Sequence, residues 1–275
     1  VSPTWWEDDV LEACSLHPLD LMTVHDYVRS LKTDSAPAGS PLGESRFPVP
    51  SPLVPARSPT ESAAGANAIT AGLARALASR HPSYAQYGLG LTPLEARIDR
   101  GVGMLLRPPS RLFSDAGLER DVARSMPIRL DLGGGVMGGA FIPARLIPGL
   151  EELIERRTAR FLKRLADAEM DNVAALGLLI EACRYAREAE MGLYEAINVI
   201  VPDEPRSWPP GATVITANRK RLDPQLRKRL EEAAKPPKRP NAFSRWLKRG
   251  VTGPGDNGRV KGADEIGRSW EDRAQ

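Results

Sequence analysis

The stretch "LEELIERRTARFLKRLADAEMDNVAALGLLIEACRYAREAEMGLYEAINVI", residues 150–200, decides the fold class. Thirteen of its positions recur at spacings of three and four residues, and ten of the thirteen are apolar. This is the period of an α-helix with one apolar stripe, and a doubled spacing of four resembles a coiled-coil stutter. Because an isolated helix cannot bury such a stripe, the pattern predicts an oligomer seam. Its apolar positions are Ile154, Phe161, Leu165, Ala168, Ala175, Leu179, Cys183, Ala186, Leu193 and Ile197.

Two arrangements satisfy this pattern. The first is one unbroken helix of roughly 75 Å, at 1.5 Å per residue. The second is a helical hairpin that folds back near Asp171–Asn172 or near Gly177. In both arrangements the alanines on the stripe allow a neighbouring helix to approach closely. Both therefore predict a mainly α protein whose centre is a long helix or a helical hairpin.

The other periodic segments are short. Residues 3–32 are predicted to form two short helices, and residues 61–80, 93–106 and 223–234 are each predicted to form one. The stretch "ATVITA", residues 212–217, predicts a short strand. The regular part of the chain is therefore expected to be mostly helical.

Five glycines occur within seven residues of the stretch "RLDLGGGVMGGAFIPARL", residues 129–146. Gly133, Gly135 and Gly138 match G-x-G-x-x-G, a pattern of dinucleotide-binding loops. A phosphate cradle also needs a helix that opens at the loop, whereas a strand-like segment and a proline follow here, without the lysine of a P-loop. We therefore expect a small β-hairpin element over 128–143, whose turn uses the positive φ angles of glycine and binds no nucleotide.

The residue types that carry catalysis or bind metals are scattered along the chain. The three histidines form no HExxH or Glu-x-x-His pair, and no G-x-S-x-G nucleophile motif occurs. Cys14 lies among apolar residues and is expected to be a buried core thiol. The carboxylates near the end of the predicted long helix are interleaved with arginines, so they are expected to form solvated ion pairs rather than a metal site. They are Glu181, Glu188, Glu190 and Glu195. We expect no catalytic residue, no cofactor and no metal ion.

Proline content and charge predict the division of the chain. Residues 36–59 hold seven prolines, which favour an extended, polyproline-like linker. The predicted parts are an acidic N-terminal helical arm (1–34), a Pro-rich linker (35–60), a mainly helical body with the glycine hairpin and the long helix (61–217), and a basic C-terminal helix and tail (218–275).

Charges of opposite sign collect towards the two ends. Residues 1–34 carry seven acidic residues against two basic ones, and residues 218–249 carry twelve basic residues against three acidic ones. Such a basic run can bind nucleic acid, an acidic protein surface such as another subunit's N-terminal arm, or anionic lipid. Phe243 and Trp246 add aromatic rings that can stack on bases. The predicted polyanion-binding residues are Arg219, Lys220, Arg221, Arg227, Lys228, Arg229, Lys235, Lys238, Arg239, Arg245, Trp246, Lys248 and Arg249.

Hydropathy predicts a protein with no transmembrane segment and at most peripheral membrane contact. The longest apolar run, residues 173–180, has eight residues, whereas a bilayer needs about 20. The acidic first residues do not resemble a secretory signal, and two distant cysteines favour a reducing compartment. We expect the protein to be cytoplasmic or part of a large assembly.

Together, these features predict a mainly α fold with a small β-hairpin element and extended Pro-rich and basic arms. The function that fits them is a non-enzymatic structural or assembly subunit of a larger complex, such as a virion or a multi-subunit machine. It would dock other protein subunits through the long helix and the arms, as a self- or hetero-oligomer. The alternative is a nucleic-acid-binding protein that acts through the basic C-terminal tail.

Overall fold

The computed structural model describes residues 12–34, 59–131 and 135–235. Within them, α-helices cover both faces of a single five-stranded mixed sheet. The prediction of a mainly α chain with some β structure is confirmed at that level, but the sheet is larger than a hairpin. Its strands are β1 (Ala13–Leu19), β2 (Ser83–Tyr87), β3 (Met137–Ile142), β4 (Gly192–Ile197) and β5 (Val214–Thr216).

The strand order is β3-β4-β1-β2-β5, so the first strand of the chain lies at the centre of the sheet. β1 is antiparallel to both β2 and β4, β3 is antiparallel to β4, and β5 is parallel to β2. The prediction that residues 1–34 form a separate arm is therefore wrong for residues 12–34, where β1 replaces the first predicted helix, whereas the second predicted helix is confirmed as α1 (Leu21–Asp34). All seven residues of β1 are buried, and a strand covered on both faces has no polar alternation by which to recognise it.

The helices that the sequence predicted are present in part. They are α1 (Leu21–Asp34), α2 (Pro59–Ala78), α3 (Leu91–Pro93), α4 (Pro109–Asp115), α5 (Arg120–Arg124), α6 (Ile147–Asp167), α7 (Asn172–Glu188) and α8 (Pro224–Ala234). The predicted helices at 61–80 and 223–234 and the predicted strand at 212–217 are confirmed as α2, α8 and β5. The predicted helix at 93–106 is instead α3, a π-helical turn (Leu94–Ile98) and a 3₁₀ turn (Arg100–Met104).

The stretch 150–200 folds as a helical hairpin followed by a strand, so the single-rod alternative is wrong. α6 and α7 pack against each other, and Asp171 caps α7 by accepting a hydrogen bond from the Ala174 amide at 3.1 Å. Glu169, just after α6, has a φ angle of +58°, and Glu190, just after α7, has a φ angle of +56°. Positive φ at a helix end is normally a position for glycine, so the sequence carried no stop signal at either end.

The ten seam positions are all buried within the folded chain, with exposed fractions of 7% or less. Most of them belong to the core between the sheet and the layer of α6, α7 and α8. The prediction that they form an oligomer seam is therefore corrected: the partner of the stripe is the chain's own sheet and helices. The periodicity continued through Leu193 and Ile197 because buried positions of β4 happen to extend the helical spacing.

The described residues of the glycine-rich stretch, 129–131 and 135–146, contain one strand, β3, rather than a hairpin. β3 pairs with β4 rather than with 128–132, and Ile128 is 74% exposed. The prediction of a hairpin over 128–143 is wrong because the partner of β3 lies more than fifty residues further along the chain. A Cβ atom on Gly138 would lie 2.6 Å from the Thr70 carbonyl oxygen of α2. Glycine is required there because a helix backbone approaches the strand closely.

Candidate functional site

The basic segment after β5 is held on the body by an amphipathic helix. Asp223 caps α8, since its carboxylate accepts a hydrogen bond from the Leu226 amide at 2.9 Å, and Pro224 occupies the first turn. Leu222, Leu226 and Leu230 are buried in the core that α6 and α7 share. The apolar side of this segment therefore faces the protein, and its cations are left to the solvent.

Most cations of this segment have no acidic partner among the described residues. Residues 219–235 hold seven basic and three acidic residues, a net charge of +4. Arg219 is paired with Asp171, with 2.7 Å between its Nη2 and the carboxylate Oδ1. Within the described ranges, no carboxylate lies at salt-bridge distance from the other six. Five of these are exposed and one, Arg227, is half-buried: Lys220, Arg221, Arg227, Lys228, Arg229 and Lys235.

The neighbouring basic run on α6 differs in this respect. Residues 156–164 contain five basic residues and no acidic one, yet four of the five have a carboxylate within reach. The pairs are Arg156–Glu152 (3.6 Å), Arg157–Asp99 (2.7 Å), Arg160–Asp99 (3.7 Å) and Lys163–Asp167 (2.7 Å). The free positive charge of this helical layer is therefore concentrated in 219–235. The predicted residues Lys238, Arg239, Arg245, Trp246, Lys248 and Arg249 lie outside the described residues.

A second polar constellation surrounds Glu195 on β4, whose side chain is fully buried. Its carboxylate accepts hydrogen bonds from the Thr92 amide at 2.7 Å and from the Ala140 amide at 3.1 Å. The Thr92 hydroxyl also donates to it. The carboxylate thus joins β4 to β3 and to the first turn of the helical segment that begins at Leu91. The prediction that Glu195 forms a solvated ion pair is wrong.

Burial raises the pKa of Glu195 from its ordinary 4.5 to about 7, although the hydrogen bonds from Thr92 and Ala140 act in the opposite direction. Desolvation of the charged form therefore raises the pKa by more than the three or more hydrogen-bond donors lower it. Two glycines make room for this carboxylate: a Cβ on Gly90 or Gly139 would lie 3.2 Å or 2.9 Å from its oxygens. The only signal in the sequence was a single acid within the apolar stretch of β4, and its partner Thr92 lies 103 residues away.

The other buried titratable groups are also closed off from solvent. Cys14 is 1% exposed, as predicted for a core thiol, and burial raises its pKa above the ordinary range. His17 lies fully buried between the hydroxyls of Ser15 (2.9 Å) and Ser83 (3.0 Å), and burial lowers its pKa to about 3. Both side chains are therefore enclosed within the folded chain.

Neither a metal-binding cluster nor a membrane-spanning helix occurs in residues 12–34, 59–131 and 135–235. No three histidine, cysteine or carboxylate side chains there lie close enough together to hold a metal ion. Each helix in these ranges is too short or too polar to cross a membrane.

Among the described residues, the cationic segment 219–235 is therefore a charged surface that lies largely open to solvent, and the polar cluster around Glu195 is buried. Comparison of the chain with protein-family models, with curated proteins and with solved structures finds no match.

Proposed function

We propose that this protein binds nucleic acid through the basic segment 219–235. The observation that carries the proposal is a set of six cations, on α8 and beside its ends, that have no acidic partner among the described residues, while the leucines of the same segment are buried in the core. Exposed cations of this kind contribute little to the stability of the fold, because even paired surface charges contribute only about 0–1 kcal/mol each. They contribute much more to the affinity for a polyanion, since each neutralised phosphate releases counterions.

The test is the salt dependence of binding. Fluorescence anisotropy of a labelled 20-base-pair duplex, titrated with the full chain at a series of salt concentrations, gives the slope of log K against log salt. The site variant combines Arg221→Gln, Lys228→Gln and Arg229→Gln. Its slope is expected to be shallower by about 3, at ~0.9 per lost phosphate contact.

A matched control removes the same charge from α6. Arg156→Gln and Lys163→Gln, with Arg160→Gln, take away three cations that already have carboxylate partners. This control is expected to reduce the slope by less than 1. Equal losses in both variants would mean that only net charge matters, and a chain that binds duplex and polyglutamate equally well would contradict nucleic-acid recognition.

The second candidate function is docking to another protein as an assembly subunit. The observation in its favour is a pair of adjacent exposed apolar side chains, Leu21 (59%) and Met22 (72%), in the first turn of α1. The Asp20 carboxylate accepts hydrogen bonds from the Met22 and Thr23 amides, which fixes this turn. Exposed apolar side chains that lie together favour a protein partner.

Sedimentation of the full chain tests this candidate as self-assembly. The variant Leu21→Gln with Met22→Gln is expected to lower the mass of the oligomer. Met104→Gln, which changes an isolated side chain that is 80% exposed, is the control and should leave the mass unchanged. A wild-type chain that is monomeric at high concentration would remove this candidate.

A further inference from the structure

A tight turn begins the basic segment and places two of its cations side by side. The Asn218 carbonyl oxygen accepts a hydrogen bond from the Arg221 amide at 3.0 Å, which closes a four-residue turn. The Asn218 side-chain oxygen accepts a second one from the Lys220 amide at 2.9 Å. Lys220 and Arg221 are exposed, and neither has a carboxylate at salt-bridge distance among the described residues. The turn therefore presents two adjacent cations to a ligand.

The third cation of this turn, Arg219, is bound to the protein instead. Its Nη2 and Nε atoms lie 2.7 Å and 3.2 Å from Oδ1 of Asp171, and the same oxygen accepts the capping hydrogen bond from the Ala174 amide at 3.1 Å. Partial burial acts to raise the pKa of Asp171, but the hydrogen bonds from Arg219 and from the backbone lower it below its ordinary value. The Asp171 carboxylate is therefore ionised at neutral pH and ties the turn to the start of α7.

A second contact fixes the other end of the turn. Leu222 follows Arg221 directly and is buried, and a Cβ atom on Gly177 of α7 would lie 2.5 Å from a methyl carbon of Leu222. The turn is thus attached at Asp171 and at Gly177, about 9 Å apart along the helix at 1.5 Å per residue. If the first attachment is lost, the backbone of residues 219–221 gains freedom, and a ligand then has to order it against its conformational entropy.

We infer that Arg219 and Asp171 are positioning residues for nucleic-acid binding: their ion pair holds Lys220 and Arg221 in place for phosphate, and Arg219 itself contacts none. This inference rests on the proposed function. It reverses the sign expected from charge alone. Removal of an acidic residue beside a cationic surface ordinarily strengthens polyanion binding, because repulsion is lost, whereas removal of a positioning carboxylate should weaken it.

The test is duplex binding by the full chain at a series of salt concentrations. Arg219→Gln should bind about threefold more weakly than the wild type, within the range of one exposed ion pair, with an unchanged slope of log K against log salt. Asp171→Asn should weaken binding by a similar factor, since asparagine keeps the cap of α7 but loses the charge that holds Arg219. The double variant should be no weaker than either single variant, because all three lack the same contact.

A second background tests which residues are positioned. In a chain that carries Lys220→Gln and Arg221→Gln, the further change Arg219→Gln should leave the affinity unchanged, because the cations that Arg219 positions are already absent. A further threefold loss in this background would overturn the inference, since it would show that Arg219 acts on binding independently of Lys220 and Arg221.

The ion pair between Arg187 of α7 and Glu151 of α6 is the matched control. Its two side chains are 3.0 Å apart and neither belongs to the basic segment. Arg187→Gln and Glu151→Gln remove the same charges as the two single variants, and each should change the affinity by less than twofold. Losses as large as those in Arg219→Gln and Asp171→Asn would overturn the inference and leave net charge as the cause.

The remaining outcomes separate the inference from the proposed function. A slope that is shallower by about 0.9 in Arg219→Gln would show that Arg219 contacts a phosphate. Tighter binding by Asp171→Asn would show that its carboxylate competes with the ligand. Either result, or an unchanged affinity in both variants, would overturn the inference and leave nucleic-acid binding in place. A wild-type chain that binds no duplex would overturn the proposed function and this inference with it.

Discussion

Replacing Glu195 by glutamine should change how the stability of this protein depends on pH. Glu195 is fully buried and its pKa is raised from 4.5 to about 7. The folded state therefore holds this proton more tightly than the unfolded state does. Its contribution to the free energy of unfolding is fully present below pH 4.5 and is lost as the pH rises to about 7.

The magnitude follows from the pKa change. At 1.36 kcal/mol per pH unit, the wild type should lose about 3 kcal/mol through this group between pH 4.5 and 7. Glutamine keeps the shape and cannot ionise, and it loses one of the two amide hydrogen bonds at every pH alike, because the Thr92 and Ala140 amides reach different oxygens and glutamine has a single acceptor. The difference in unfolding free energy, Glu195→Gln minus wild type, should therefore rise by about 3 kcal/mol across this window.

The difference between the two curves is the quantity to measure, because His17 acts in the opposite direction. Its pKa is lowered to about 3, so the stability it contributes is present above pH 6.5 and is lost as the pH falls towards 3. Both chains retain His17, so subtraction removes its effect. Urea unfolding at intervals from pH 4 to pH 8, with linear extrapolation, gives both curves.

A surface substitution provides the control for this experiment. Glu152→Gln changes a carboxylate that is 65% exposed, and its difference curve should stay within a few tenths of a kcal/mol. A flat curve for Glu195→Gln would refute the argument that burial dominates. A curve that falls with pH would show that the hydrogen bonds to the carboxylate outweigh its desolvation.

Three further predictions concern two backbone positions and the glycine-rich stretch. Glu169→Gly should stabilise the protein by roughly 1 kcal/mol in urea unfolding, since glycine has no steric penalty at a φ of +58°. The control, Glu152→Gly within α6, should destabilise the protein by a similar amount. Gly138→Ala should cost about 1–3 kcal/mol, because the new methyl would lie 2.6 Å from a carbonyl oxygen of α2; an unchanged melting temperature would contradict that close approach. Millimolar ATP, GTP or NAD should leave the melting temperature unchanged, and a saturable increase abolished by Gly135→Val would show that the glycine-rich stretch binds a nucleotide.

Local patterns in the sequence determined several elements of this fold. The alanine-rich composition of residues 61–80 identified α2, and the Asp223–Pro224 cap identified α8. The run of β-branched residues identified β5. Each of these signals lies within a few neighbouring residues, because caps and amphipathic faces are set by local geometry.

Tertiary structure alone decided the sheet and the buried cluster. β1 is central, so burial on both faces removed the alternation that marks a strand. Glu169 and Glu190 adopt positive φ angles that no local rule assigns to glutamate, and the amides of the residues after them, Met170 and Met191, close the two helix ends on the carbonyls of Leu165 and Ala186. Glu195 could not be placed from sequence because its partner Thr92 is 103 residues away, and only the folded chain brings the two together. A cationic run can be read directly from the sequence. Whether its charges are already neutralised depends on which carboxylates the fold brings within reach.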